Sequence, residues 1–182
     1  MKLRLSFRAP RRSESGLSLI ELLIASGIAC LALAAMASFA IYTSRTFVAT
    51  GNYADLDRAS RNALDQLTRD VRASRTVTAF TTNKLTLQDN NTNTLIWQYT
   101  PSTAQLTRQS GNTTQVMLQQ CDYLCFSNYI RVPTNGWAWY PVGTNNVSFT
   151  KLVDVSWKCS RKILGQKMNT ESVQTAKIVL RN

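Results

Sequence analysis

The sequence contains no histidine among its 182 residues, which limits the chemistry that its other side chains can perform. Histidine is the commonest general base and the commonest metal ligand in proteins. Its absence excludes Ser-His-Asp and Cys-His nucleophile pairs and imidazole-ligated zinc sites. A Ser-Lys pair at Ser156 and Lys158 remains, but both side chains are predicted to face solvent on one strand. The sequence therefore predicts no catalytic residues, no cofactor and no metal site, and the chain is not expected to be an enzyme.

Three cysteines in the second half of the chain can form a disulfide bond if this region lies in an oxidising compartment. Cys121 and Cys125 are four residues apart, and Cys159 lies on the apolar side of a predicted strand. A bridge from Cys159 to either of the other two would fasten the middle of the chain to its C-terminal region. Free buried thiols are the alternative, whereas an all-cysteine metal site would lack a clear fourth ligand.

One apolar stretch, LSLIELLIASGIACLALAAMASFAIY at residues 17–42, contains a single charged residue, Glu21. As a helix it would extend roughly 39 Å, which exceeds the hydrocarbon core of a bilayer, about 30 Å. The positive-inside rule places the N-terminus in the cytoplasm and the residues after Tyr42 outside it. The cations that precede the stretch are Lys2, Arg4, Arg8, Arg11 and Arg12.

Three ways of processing this segment can be distinguished by residue pattern. A secretory signal peptide could be cut after Ala35-Met36-Ala37, but a carboxylate inside its apolar region is unexpected. A lipoprotein signal would use Cys30, although Gly27 stands where a bulky aliphatic residue is expected. The third pattern is a short basic leader that ends at Gly16, on the cytoplasmic side of the apolar run.

The segment RRSESG followed by LSLIELLIAS resembles the N-terminus of type IV prepilins. The resemblance implies cleavage after Gly16 and methylation of the new N-terminus at Leu17, where family members usually have Phe. It also implies three partners: a prepilin peptidase/N-methyltransferase, other pilin or pseudopilin subunits, and an inner-membrane assembly platform. Glu21 is then the fifth residue of the mature chain. An unpaired carboxylate is costly in hydrocarbon, so the α-amino group of a neighbouring subunit would be a favourable partner for it in a filament.

Two further stretches, LDRASRNALDQLTRDVRAS and the C-terminal KIVLRN, are similar to those of PilW and J-type minor pseudopilins. This resemblance covers the general pattern of the chain, not a specific signature. Together the resemblances imply a structural subunit, minor pilin or pseudopilin, of a type IV pilus-like or type II secretion filament. The expected location is the inner membrane, with one span, and then the assembled filament.

The basic charge of the chain suggests a second function. After Gly16 the sequence has 16 basic and nine acidic residues, a net charge of +7, scattered without a cluster. With aromatic residues at 137–140, this charge would suit a membrane-tethered binding module for DNA or a polysaccharide. Nucleic acid is the less favoured partner, because this charge is scattered. Trp97 and Trp157 have the in-facing parity of core residues.

The elements expected to position these residues give an α+β fold. A long N-terminal helix continues from the membrane segment as an amphipathic half and packs on an antiparallel β-sheet domain, as in pilins. The ranges are a leader at 1–16, a transmembrane and assembly helix at 17–42, its amphipathic continuation at 43–76 and a β-rich domain at 77–182. The apolar face of the continuation is formed by Tyr53, Leu56, Ala63, Leu67, Val71 and Ser74.

Alternating apolar residues and turn signals predict several short strands after residue 77. A hairpin is expected around the turn at 89–93. Further strands are expected near 105–108, 115–119 and 137–140, with a turn at Gly111-Asn112. The longest, at 147–159, is expected to pair antiparallel with a strand that contains Ala176, Ile178 and Leu180.

Overall fold

The computed structural model describes Gly16 and residues 18–131, 139–142, 144–162 and 170–181. Its first element is the 55-residue helix α1, Leu19–Ala73. Antiparallel strands follow, and the C-terminal half of α1 packs against them, which confirms the α+β fold expected from the sequence. The helix ends three residues before the predicted limit, because residues 74–76 belong to the first strand.

The chain divides into two compact units, Met1–Ser44 and Arg45–Asn182. The first contains the apolar part of α1, and each of its described residues is exposed. The second contains the rest of α1, all the strands and one hydrophobic core.

The first sheet is a five-stranded antiparallel meander in which each strand pairs with the next one along the chain. Tight turns explain this order: Gly111 has a φ of +57°, a left-handed conformation that glycine adopts without strain, between the last two strands. The predicted hairpin around 89–93 is confirmed. The strands are β1, Ser74–Thr81; β2, Lys84–Asp89; β3, Thr94–Thr100; β4, Gln105–Ser110; and β5, Thr113–Leu118.

The second sheet has four antiparallel strands in the order β7-β6-β8-β9. The strands are β6, Cys121–Arg131; β7, Trp139–Pro141; β8, Leu152–Ser160; and β9, Glu171–Val179. The predicted antiparallel pairing of the two C-terminal strands is confirmed, since Val155 lies opposite Ala176 and Val153 opposite Ile178.

The predicted start of the longest strand, at residue 147, was wrong. Residues 144–149 form a short 3-10 helix. Phe149, which a continuous strand would place on the same inward face as Val153 and Val155, is 59% exposed. The backbone N–H and the hydroxyl of Thr150 both bond to the carbonyl of Val147, at 3.1 and 2.6 Å. These bonds close a turn immediately before the strand, which begins at Leu152.

The core lies between the C-terminal half of α1 and the inward faces of the two sheets. Tyr53 is 50% exposed and does not belong to the buried helix face, whereas Ser60 and Asp70 do. Trp97 and Trp157 are fully buried, as their strand parity predicts. The core side chains of α1 are Leu56, Ala63, Leu67 and Val71; those of the sheets include Val77, Leu85, Leu87, Leu106, Leu118, Leu124, Phe126, Val153, Val155 and Ile178.

Candidate functional site

The N-terminus of α1 is closed by a capping box between Ser18 and Glu21. The Glu21 backbone N–H donates to the Ser18 hydroxyl at 3.3 Å, and the Ser18 N–H donates to Oε2 of Glu21 at 3.0 Å. This reciprocal arrangement satisfies two of the donors that a helix start leaves without intrahelical partners. Glu21 therefore has a local structural role in addition to the role predicted from its charge. A carboxylate accepts up to about four hydrogen bonds, so Glu21 keeps the capacity for a further donor.

The two other predicted leader residues precede this cap. Gly16 is exposed, and a Cβ atom added to it would meet nothing within 4 Å. The described contacts therefore do not require glycine at this position. Leu17, the expected first residue of the mature chain, lies outside the described residues.

The helix that follows presents apolar side chains to its surroundings on every side. All described residues from 18 to 48 are exposed, and the large apolar ones between 19 and 42 are 55% to 82% exposed. Soluble proteins rarely expose so much contiguous apolar surface. An 18-residue window of this helix has a mean hydropathy of 2.3, so α1 is compatible with a single-pass membrane anchor. Cys30 lies exposed in this segment as a free thiol.

The hydroxyl groups of the apolar segment bond to its own backbone. Ser26 donates to the carbonyl of Leu23, and Ser38 donates to that of Ala34, both at 2.9 Å. Such bonds within one helix remove the cost of placing a hydroxyl in hydrocarbon. The Glu21 carboxylate is the one charged group of residues 17–42.

The C-terminal half of α1 is joined to the first sheet through Asp70, which the sequence analysis did not identify. Arg108 on β4 donates to both carboxylate oxygens, at 2.6 and 3.1 Å, and the indole N–H of Trp97 on β3 donates at 2.9 Å. Gln66 donates from the preceding turn of the helix at 3.0 Å. The hydrogen bond to Asp70 raises the pKa of Arg108, so this guanidinium stays charged in its partly buried position. Two features of the sequence could have indicated this contact. Asp70 lies beside Val71 on the apolar face of the helix, and Arg108 has the strand parity of Leu106.

A second polar contact joins α1 to the other sheet. The indole N–H of Trp157 donates to the buried hydroxyl of Ser60 at 3.3 Å, and the Ser172 hydroxyl lies 3.5 Å from the same oxygen. A small polar side chain on the helix thus accommodates the largest residue of β8. The helix is fixed to each sheet by a tryptophan and a polar helix residue.

The three distal cysteines do not share a face. Cys121 and Cys159 are opposite each other on β6 and β8 and are fully buried, whereas Cys125 lies opposite Ser156 on the outward face. An irregularity in the pairing between Cys121 and Tyr123 reverses the alternation, so two cysteines four residues apart point to opposite sides. All of these cysteines are free thiols in the structure.

The residues considered for other functions lie on the outer surface. Trp139 and Tyr140 on β7 are 40% and 38% exposed, while Trp137 lies outside the described residues. Ser156 is 3.0 Å from the Thr175 hydroxyl, and Lys158 forms an ion pair with Glu171 at 2.9 Å. Each member of the Ser-Lys pair is thus engaged with a different residue of β9. Within the described residues, no three His, Cys, Asp or Glu side chains form a group that could hold a metal ion.

Comparison with known proteins does not extend these observations. No family model matches the chain, and no similar protein was found among curated sequences or solved structures.

Proposed function

We propose that the chain is the precursor of a structural filament subunit, a minor pilin or pseudopilin of a type IV pilus-like or type II secretion system. The observation that carries this proposal is the exposed apolar helix segment at residues 19–42. Its single charge, Glu21, lies in the first turn, and a basic leader precedes it. In a membrane anchor, desolvation penalises a carboxylate at this position.

Processing by a prepilin peptidase would give this carboxylate a partner. Cleavage after Gly16 creates an α-amino group at Leu17 but leaves the amide N–H of Ser18 intact. The capping box can therefore persist in the mature chain, with Glu21 still holding acceptor capacity for the ammonium group of a neighbouring subunit. The absence of a packing requirement for glycine at position 16 is consistent with a requirement set by the peptidase.

The proposed arrangement before assembly is a single-pass inner-membrane protein with a cytoplasmic leader and an exported globular domain. An assembly platform and other pilin or pseudopilin subunits would then remove the apolar helix from the bilayer and pack it in the filament. Helix contact replaces lipid contact in this step, so little apolar surface has to be exposed to water. The subunit itself needs no catalytic residue.

The test is the mass of the N-terminal peptide from protein purified from membranes of cells that contain a prepilin peptidase. We expect the chain to begin at Leu17, with a methylated amine, and to retain the apolar helix. A chain that begins at Ser38, carries a lipid on Cys30 or remains uncut would contradict the proposal.

A pair of glycine variants sharpens the test. Gly16→Val is expected to block processing, because it enlarges the residue before the cut. Gly27→Ala is the matched control, since a Cβ atom meets nothing within 4 Å at either glycine. If both variants are processed like the wild type, the cleavage site is not at Gly16.

A binding module for DNA or a polysaccharide is the second candidate, favoured by the exposed Trp139 and Tyr140. Stacking of these rings on bases or sugars would supply affinity, and the net charge would make DNA binding sensitive to salt. The check is binding of the detergent-solubilised chain to labelled single-stranded DNA at two salt concentrations. A matched Trp139→Ala variant that binds equally well would exclude this surface.

A further inference from the structure

We propose that Cys121 and Cys159 form an intramolecular disulfide bond when the globular domain folds under oxidising conditions. The inference concerns a covalent modification of the domain and goes beyond its place in a filament. It rests on the backbone pairing of β6 with β8 and on the burial of both thiols.

The two cysteines lie directly opposite each other on β6 and β8. Ser160 N–H donates to the Gln120 carbonyl at 3.1 Å, which makes those residues the hydrogen-bonded pair next to the cysteines. Cys121 N–H instead donates to Ala104 at 2.9 Å, away from Cys159. The cysteines therefore form a pair of the non-hydrogen-bonded kind, whose Cα atoms are typically about 4.5 Å apart. Disulfide bonds span Cα separations of about 4.4 to 6.8 Å.

Local backbone features direct the Cys121 side chain inward. Gln120 has a φ of +57°, and the pairing of β6 with β8 is irregular between Cys121 and Tyr123. A regular strand would place Cys121 on the same face as Cys125, away from the core. The combination of a left-handed residue and a bulge instead brings the Cys121 thiol against that of Cys159.

Burial shields the pair of thiols from water. Both cysteines are fully buried, and the Cys159 thiol also bonds to the hydroxyl of Ser60 on α1. The hydrogen bond from Cys159 lowers the pKa of Cys121, whereas the bond to Cys121 together with burial raises that of Cys159. The hydrogen bond between the two thiols thus couples their ionisation.

The reaction is a thiol–disulfide exchange with a disulfide-bearing oxidant, either a protein oxidase or a small disulfide. The exchange takes place as the domain folds, before both thiols are buried. One of the two cysteines attacks the oxidant as its thiolate, and one oxidant sulfur leaves as a thiolate. The other cysteine then loses its proton and displaces the second oxidant sulfur from the mixed disulfide. One S–S bond forms in the domain, two electrons pass to the oxidant, and its two sulfurs take up the two protons.

The test uses the full chain, unfolded, reduced and refolded in detergent with a mixture of reduced and oxidised glutathione. After removal of glutathione, the protein is denatured without reductant, alkylated and weighed. We expect two alkyl groups, on Cys30 and Cys125, and a linked peptide pair that contains Cys121 and Cys159. Because oxidation occurs in vitro, this outcome is independent of leader processing and filament assembly.

Serine variants provide the controls. Cys125→Ser should keep the bridge, whereas Cys121→Ser should abolish it and leave three alkylated thiols. Reduction of the wild type should lower its unfolding midpoint on the order of 10 °C, and reduction of Cys121→Ser should leave its midpoint unchanged. Four alkylated thiols in the refolded wild type, or a linked peptide that contains Cys125, would overturn the inference.

Discussion

The two halves of α1 differ in how their polar side chains are hydrogen-bonded. In the first half, the hydroxyls of Ser26, Ser38 and Thr43 and the Glu21 carboxylate bond to backbone groups within four residues. In the other half, Ser60 and Asp70 are buried and bond to side chains far away in the sequence. The first half needs nothing from its own domain and leaves its apolar surface uncovered. The second half has its partners within the domain. Long-range bonds of buried polar groups thus mark the part of the helix that its own domain covers.

The largest effect is expected in the second half of α1, where Asp70 is paired with Arg108. Asp70→Asn keeps the shape of the side chain but leaves Arg108 charged and partly buried without its carboxylate. Breaking a buried ion pair typically costs about 3–5 kcal/mol, so we expect the free energy of unfolding to fall by that order. Urea unfolding of the full chain in detergent, monitored by tryptophan fluorescence, measures this decrease in the free energy of unfolding.

The exposed ion pair on the same helix supplies a matched control. Arg61 donates to Asp57 at 2.8 Å, but its side chain is 73% exposed. Arg61→Gln should therefore change the free energy of unfolding by less than about 1 kcal/mol. Equal losses in the two variants would show that the Asp70 contacts do not fix α1 to the first sheet. Replacing both Asp70 and Arg108 by leucine should recover part of the loss, because no buried charge then remains unpaired.

Much of this architecture follows from sequence patterns of short range. The period-2 alternation around 85–99 and the turn at Gly111 predicted the first sheet's hairpins, and the pattern near 153–159 predicted an inward strand. Asp70 was missed because a helical period by itself assigns an acidic residue to solvent. Its burial depends on Arg108 and Trp97, which only the folded chain brings near it.

The division into two sheets was not predicted, because alternation identifies strands but not their partners. The pairing of β6 with β8 joins residues that are distant in the sequence, so no pattern within either strand indicates its partner. The same limit applied to the cysteines. The sequence left open which of Cys121 and Cys125 lies next to Cys159, and the irregular pairing between Cys121 and Tyr123 decides for Cys121. The capping box Ser18–Glu21, by contrast, is a local pattern that the sequence already contained.

An effect of intermediate size is expected for the first half of the helix. In Glu21→Gln the charge is lost, but a glutamine can still close the capping box. In Glu21→Val the charge and the side-chain half of the capping box are lost, whereas the backbone N–H can still donate to Ser18. Translocon scales assign a charge at the centre of a span about 2.5–3.5 kcal/mol. Because Glu21 lies in the first helical turn, this figure is an upper limit for what pairing with a neighbouring ammonium group can recover. We expect both variants to insert and to be cut after Gly16, yet to be depleted at least tenfold from filaments.

Recovery of tagged protein in sheared filament fractions measures this effect, with total membrane protein as the control. Neither variant should alter the urea unfolding of the globular unit, since the Glu21 bonds are confined to the first helical turn. Wild-type recovery of both variants would show that the charge has no part in assembly. A change in domain unfolding would contradict the separation of the two halves.

The smallest expected effect separates the cap from the charge. Ser18→Ala removes the hydroxyl that accepts from the Glu21 N–H, at a cost of about 1 kcal/mol for an N-cap residue, but keeps the carboxylate. Hydrogen exchange at the Glu21 amide should accelerate about fivefold in detergent micelles, while Ser18→Thr, which retains a capping oxygen, should change it little. Filament recovery should fall much less for Ser18→Ala than for Glu21→Gln, because a pairing carboxylate remains and only the helix start is loosened. If Ser18→Ala is instead depleted as strongly as Glu21→Gln, the cap and not the charge explains why Glu21 lies at this position.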